Sequence, residues 1–177
     1  MTEARIRNMA SFSRFLESAS FSNGEMVNYS NIASQCSVSG NIVKEYFQIL
    51  EDTLTGRFLP SFQKKPKRRV ILAPKFYFFD VGIANFLLKR GRIEPGSEAF
   101  GKAFEHFIYQ EIYAHSKYTE LDYPIHYWRT ASQMEVLVTN DPWPRQIDDI
   151  IILPWKLFLE QLWGENLYPE IFRFKKK

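Results

Sequence analysis

Residues 28–52, NYSNIASQCSVSGNIVKEYFQILED, hold two helical periods separated by a break of three or four residues. Ile32 and Ala33 give a short first helix its inner face, and Val38 sits in the turn. Ile42, Val43, Tyr46, Phe47, Ile49 and Leu50 then recur at steps of three and four, so one face of the second helix belongs to a core. Ser39 suits the N-cap of that second helix, where its hydroxyl accepts a hydrogen bond from a first-turn amide. Two helices joined this tightly at a steep angle form the helix-turn-helix of DNA-reading proteins, with the second helix offered to the major groove. Ser37 replaces the glycine usual in such a turn.

A hairpin follows. Gly56 to Gln63 and Arg69 to Leu72 read as strands, and the link between them carries Lys64, Lys65, Lys67 and Arg68. With Arg69 this makes five cations in six residues, and the whole plan is that of a winged helix. A basic wing can lie along a phosphate backbone, where each cation releases a counterion whatever the base sequence. The second helix is a poorer electrostatic probe: its outward positions hold Asn41, Lys44, Glu45, Gln48, Glu51 and Asp52, half of them acids that phosphates repel. Contact is therefore expected mainly from Lys64, Lys65, Lys67, Arg68 and Arg69, with Ser39, Asn41 and Lys44 as the helix's contribution. A charged hairpin tip has an alternative use in discouraging edge-to-edge association of strands.

A chain of 177 residues that is 45% apolar and 16% aromatic has enough material for a substantial core, in one domain or two small ones. Its net charge of +3 conceals an asymmetry. Residues 1–92 carry 14 Lys or Arg against 7 Asp or Glu, and residues 93–177 carry 9 against 13, giving +7 and −4 and suggesting modules with different partners. Cys36 is the single cysteine, so an intrachain disulfide is excluded and a thiolate zinc site lacks its ligands. Its expected role is that of a small buried apolar group. No basic start leads into an apolar run and nowhere do eighteen apolar residues stand in succession, so no membrane association is expected and a reducing, cytoplasmic location is.

Residues 6–21 read as an amphipathic helix with Ile6, Met9, Phe12, Phe15, Leu16 and Ala19 on one face, the first of a three-helix core. Ala73 to Asp80 reads as a strand entering a turn and Val81 to Lys89 as a helix. The run GRIEPG (Gly91 to Gly96) interrupts both periods and marks a boundary. Beyond it, Phe100 to His115 is a strong helix, Pro124 to Trp128 and Met134 to Val138 read as short strands, Asp141 to Arg145 as a turn, and Ile150 to Leu153 as an apolar strand. Trp155 to Trp163 closes the chain as a helix, with Pro154 at its start where a missing amide costs nothing.

Several stretches in this order resemble the region downstream of the ATPase domain in a large group of bacterial and archaeal AAA-type ATPases. They are Phe15-Leu-Glu17, Asn28-Tyr-Ser30, Val43-Lys-Glu-Tyr46, Leu50-Glu-Asp-Thr53, Pro74 to Gly82, Phe104-Glu105, Tyr127-Trp-Arg129, and Leu153-Pro-Trp-Lys156 with Phe158-Leu159 and Leu162-Trp163. The resemblance implies an α+β chain: a winged-helix domain over residues 1–90, then a restriction-endonuclease-like α/β module over 93–177. Two departures qualify it. The G-x-x-x-x-G-K-[ST] loop that cradles phosphates is missing, so ATP hydrolysis is not expected. The nuclease-like pattern has a helix glutamate, matched by Glu105, then Glu-Val-Asp and Glu-x-Lys on successive strands. Here Glu135-Val136 runs directly into Leu137-Val-Thr-Asn140, and neither Glu-x-Lys nor Asp-x-Lys occurs anywhere. The pattern points to an internal deletion near Val136 to Thr139 that leaves the second module truncated.

Metal-dependent phosphodiester cleavage needs clustered hard oxygen ligands and commonly a lysine. Glu105 and Glu135 alone do not supply them and are read as structural acids, while His106, His115 and His126 lack the spacing of a zinc site. The expectation is a non-catalytic protein with no cofactor and no metal, bound to DNA mainly through backbone contacts. The alternative is a protein-docking module that meets an ATPase partner or a second copy of itself, since apolar surface once covered by deleted strands needs a new cover.

Overall fold

The computed structural model describes residues 9–61, 73–120, 122, 124–127, 138–139, 143–147 and 150–164. It is an α+β protein, and its chain divides into two compact units, residues 1–107 with 125–127 and residues 108–124 with 128–177.

The first unit begins with three helices, α1 (Met9–Phe21), α2 (Tyr29–Cys36) and α3 (Gly40–Asp52). Ser39 caps α3 as the sequence suggests, its Oγ accepting from the amide of Ile42 at 3.4 Å, and α2 has a cap of its own in Asn28, whose Oδ1 accepts from the amide of Asn31 at 3.0 Å. α2 ends at Ser37, which adopts the left-handed conformation (φ 55°) and lets the amide of Val38 reach the carbonyl of Ala33. The buried faces of the helices meet around Phe47. Its ring lies 4.9 Å from Phe15, 4.8 Å from Phe76, 5.4 Å from Phe58 and 5.8 Å from Tyr29, mostly edge to face. Val43, Tyr46, Ile49, Leu50, Ile32 and Cys36 belong to the same core.

Strands β1 (Gly56–Leu59) and β2 (Lys75–Phe78) form an antiparallel ribbon, Gly56 opposite Phe78 and Leu59 opposite Lys75. β2 comes from the Ala73–Asp80 run; the Arg69–Leu72 strand expected from the sequence lies outside the described residues. Gly56 is required by packing, since a Cβ there would stand 2.3 Å from the ring of Phe76 and 2.9 Å from the carbonyl of Tyr77.

A two-stranded ribbon is marginal by itself, and here its outer edges are taken up by non-strand groups. On β2, the carbonyls of Phe76 and Pro74 accept from the amides of Gly24 and Val27, and Met26 bridges Lys75. On β1, the amide of Phe58 donates to Glu51, and the carbonyl of Pro60 accepts from Tyr127. Asp80 then caps α4 (Val81–Leu87), and Ser97 accepts from Phe100 at the start of α5 (Glu98–Tyr118). Tyr127 makes one parallel bridge to Ser61, but the described part of the expected Pro124–Trp128 strand goes no further. Pro124 has no amide to donate to a ladder; the Tyr127 hydroxyl donates to the carbonyl of Ala73.

The second unit takes the rest of α5 from Ile108 and a small sheet in which β5 (Ile150–Pro154) lies between β3 (Val138–Thr139) and β4 (Arg145–Ile147). β3 pairs with it parallel and β4 antiparallel. β4 is a strand the sequence reading did not anticipate, because Asp141-Pro-Trp-Pro-Arg145 dominates that stretch as a turn signal. α6 (Trp155–Trp163) starts and stops where its apolar period does, with Pro154 at its N-cap. Trp163 donates its indole N–H to Glu111 at 2.9 Å and stacks edge-on against the buried His115 at 5.4 Å.

Candidate functional site

Two places in the first unit carry polar side chains in arrangements that go beyond solvation. The first is the outer face of α3. Ser39, at its cap, and Asn41 and Lys44, in its first two turns, are all exposed. The Lys44 ammonium stands 5.6 Å from the centroid of the Tyr29 ring, so α2 props this cation from below. Farther along, Gln48 donates to Asp52 at 2.9 Å. Glu51 is half-buried, and its carboxylate accepts from the amide of Phe58 at 3.4 Å. It therefore faces the ribbon, and the outward acids on α3 are Glu45 and Asp52. Burial and the nearby Glu51 carboxylate together hold the Tyr29 phenol above its ordinary range. The remaining expected contacts, Lys64, Lys65, Lys67, Arg68 and Arg69, lie outside the described residues, as does Glu135.

The second place is the junction of β2 with α5, where the sequence offered no signal because the partners are tens of residues apart. Glu105 Oε1 accepts from Lys75 Nζ at 2.6 Å and from the Tyr77 hydroxyl at 2.7 Å. Lys75 is buried, and its ammonium also stands 5.6 Å from the centroid of the Tyr127 ring. A buried cation left without its carboxylate is strongly destabilising, which gives Glu105 a structural task.

One residue on, His106 is fully buried. Its Nε2 lies 2.8 Å from the carbonyl of Phe78, and its Nδ1 3.1 Å from Asn23 Nδ2. A carbonyl only accepts, so Nε2 must carry the proton and Nδ1 must accept from the Asn23 amide. Asn23 is oriented in turn by Phe78, whose N–H donates to Asn23 Oδ1 at 2.9 Å. Burial, outweighing its hydrogen bond to Phe78, holds the imidazole below its ordinary pKa and keeps it neutral.

Nearby, Lys102 bridges Glu25 at 2.7 Å and Glu98 at 3.1 Å. The hydrogen bond to Glu25 is the main reason that its pKa is raised. Among the described residues no group of three or more His, Cys, Asp or Glu is placed to hold a metal ion. No helix among them is long and apolar enough to cross a membrane.

No curated protein and no solved structure matches the chain. A family match covers residues 1–94, which takes in the three helices, the ribbon and α4. The chain thus belongs to the family described as a domain of unknown function (DUF8612).

Proposed function

We propose that this chain is a non-catalytic, DNA-associated winged-helix protein that meets the duplex mainly through its phosphate backbone. The observation that carries the reading is the pairing of α2 and α3 across three residues, with the polar face of α3 exposed. The order of elements agrees with a winged helix. A strand-like bridge at Met26 falls between α1 and α2, and the β1–β2 ribbon follows α3 with the Lys64–Arg69 cluster between its strands. The withdrawal of Glu51 toward Phe58 supports it further, because it removes one repulsive charge from the outer face. In the resemblance to AAA-type ATPase C-terminal regions, this unit is one part of a machine whose motor is a separate domain. Glu105, engaged by Lys75 and Tyr77, fits a structural use better than a nuclease ligand.

The test is duplex binding at low salt by the full chain and by a variant with Lys64, Lys65, Lys67, Arg68 and Arg69 changed to alanine. The reading expects binding that weakens severely in the variant, and unchanged binding overturns it. A second reading, docking to a protein, is favoured by large apolar side chains left exposed in the first unit: Phe86 at 81%, Leu54 at 77% and Phe79 at 55%. Light scattering across a dilution series tests its homo-oligomeric form, which a strict monomer at micromolar concentration contradicts.

A further inference from the structure

We propose that Asn23, His106 and the backbone of Phe78 form an acid-released latch that holds the first half of α5 on the outer edge of β2. The three groups close a ring of hydrogen bonds. Phe78 N–H donates to Asn23 Oδ1, Asn23 Nδ2 donates to His106 Nδ1, and His106 Nε2–H donates to the carbonyl of Phe78. Both ring nitrogens are used, both backbone groups of one strand residue are satisfied, and the imidazole has no exposed surface.

The ring closes with the neutral imidazole and with no other state. A proton added to Nδ1 faces the Asn23 NH2, donor against donor. If the amide turns over so that Oδ1 meets the new N–H, its NH2 then faces the amide of Phe78, and the conflict has only moved. Either way a buried donor loses its acceptor, so the protonated side chain is relieved by leaving the site.

The surroundings offer limited compensation. The charged groups near the imidazole are Asp80 beyond β2, Glu105 beside it on α5 and Arg57 on β1; the two acids favour a proton and Arg57 opposes it. Glu105 is already engaged by Lys75 and Tyr77, and the Tyr77 ring, centred 5.2 Å from the imidazole, contributes no charge. Opening of the latch frees the N–H and carbonyl of Phe78 and loosens residues 103–107 of α5, which then rest on Glu105 with Lys75 and Tyr77 and on Lys102 with Glu25.

The sign follows from linkage. With its folded pKa below the ordinary 6.5, His106 supports the closed state above that value, and the support is lost as pH falls toward the folded pKa. The experiment is amide hydrogen exchange on the full chain between about pH 7.5 and about pH 5.5, corrected for intrinsic exchange and read at Phe78 and at residues 103–107. Protection is expected to fall across that window, by at most about tenfold per pH unit for a single proton. His106→Gln keeps a donor for the Phe78 carbonyl without titrating, and its protection should be insensitive to pH.

Asn23→Asp presents an acceptor to Nδ1 and should reverse the trend, with the imidazole titrating above its ordinary value. Nitrogen-resolved NMR of the wild-type imidazoles decides the matter even if a variant fails to fold. The latch requires His106 as the Nε2–H tautomer with a depressed midpoint. A proton on Nδ1 at neutral pH, a midpoint at the ordinary value, or a pH response that survives in His106→Gln overturns it.

Discussion

Ser37 shows how a single backbone angle can be hidden in a sequence. Its φ of 55° belongs to the left-handed region, where L residues are strained by roughly 1–2 kcal/mol. Glycine avoids that strain but loses roughly 0.5–1 kcal/mol more in chain entropy on folding. Ser37→Gly is accordingly expected to raise stability by about 0.5–1 kcal/mol, a gain that denaturant unfolding would register as a higher midpoint with an unchanged slope. A serine at this place shows only that the usual glycine is missing; the turn is legible in the sequence, but the strain stored in it is not. Glu51 is a similar case. Helical periodicity placed it on the outside with Glu45 and Asp52, whereas the amide of Phe58, seven residues on, draws it inward. Nothing in the period of one helix records a hydrogen bond to the next element.

At the scale of elements, α3 concentrates the functional question because one residue serves two purposes. Ser39 caps the helix, and it stands at the end that the proposed reading brings to phosphate. The two uses separate by mutation. Ser39→Ala removes the acceptor and should cost about 1 kcal/mol of stability. Ser39→Asp caps equally well, so stability should hold within about 0.5 kcal/mol while duplex affinity falls, since a carboxylate now faces the backbone. If Ser39→Asp binds duplex as tightly as the parent, this end of α3 does not approach DNA.

Elements with strong periods were the legible ones. α3 and α6 begin where their caps and apolar steps say they should, and Trp155–Trp163 matches its expectation residue for residue. Short strands were less readable. β4 hides behind a proline-rich turn signal, and the expected strand at Pro124–Trp128 reduces among the described residues to one bridge at Tyr127. Two or three residues are too few for an alternating pattern to declare itself.

For the whole molecule, charge is the property that most directly bears on what it binds. The +7 of residues 1–92 lies in the region of the family match, and five of its cations are packed into six residues. If four or five of these neutralise phosphates, a plot of log affinity against log salt should fall with a slope near −4 and depend little on base sequence. Titration of one duplex and a scrambled duplex at several salt concentrations measures both quantities; a shallow slope with strong sequence preference would point instead to base reading by α3. The residues that join distant parts of the chain, Lys75 with Glu105 and Asn23 with His106, were beyond any local reading. Their chemistry exists only after folding brings residues 23, 78 and 106 together.

The lone thiol has a practical meaning at this same scale. Cys36 has no exposed surface, and its sulfur lies 3.8 Å from the hydroxyl of Ser18, in the seam where α1 meets α2. A thiol reagent can reach it only when that seam parts. The protein consequently carries a native reporter of how often its helical core breathes. Because no second cysteine competes for the label, the rate of modification reads the opening of that one place without an introduced probe.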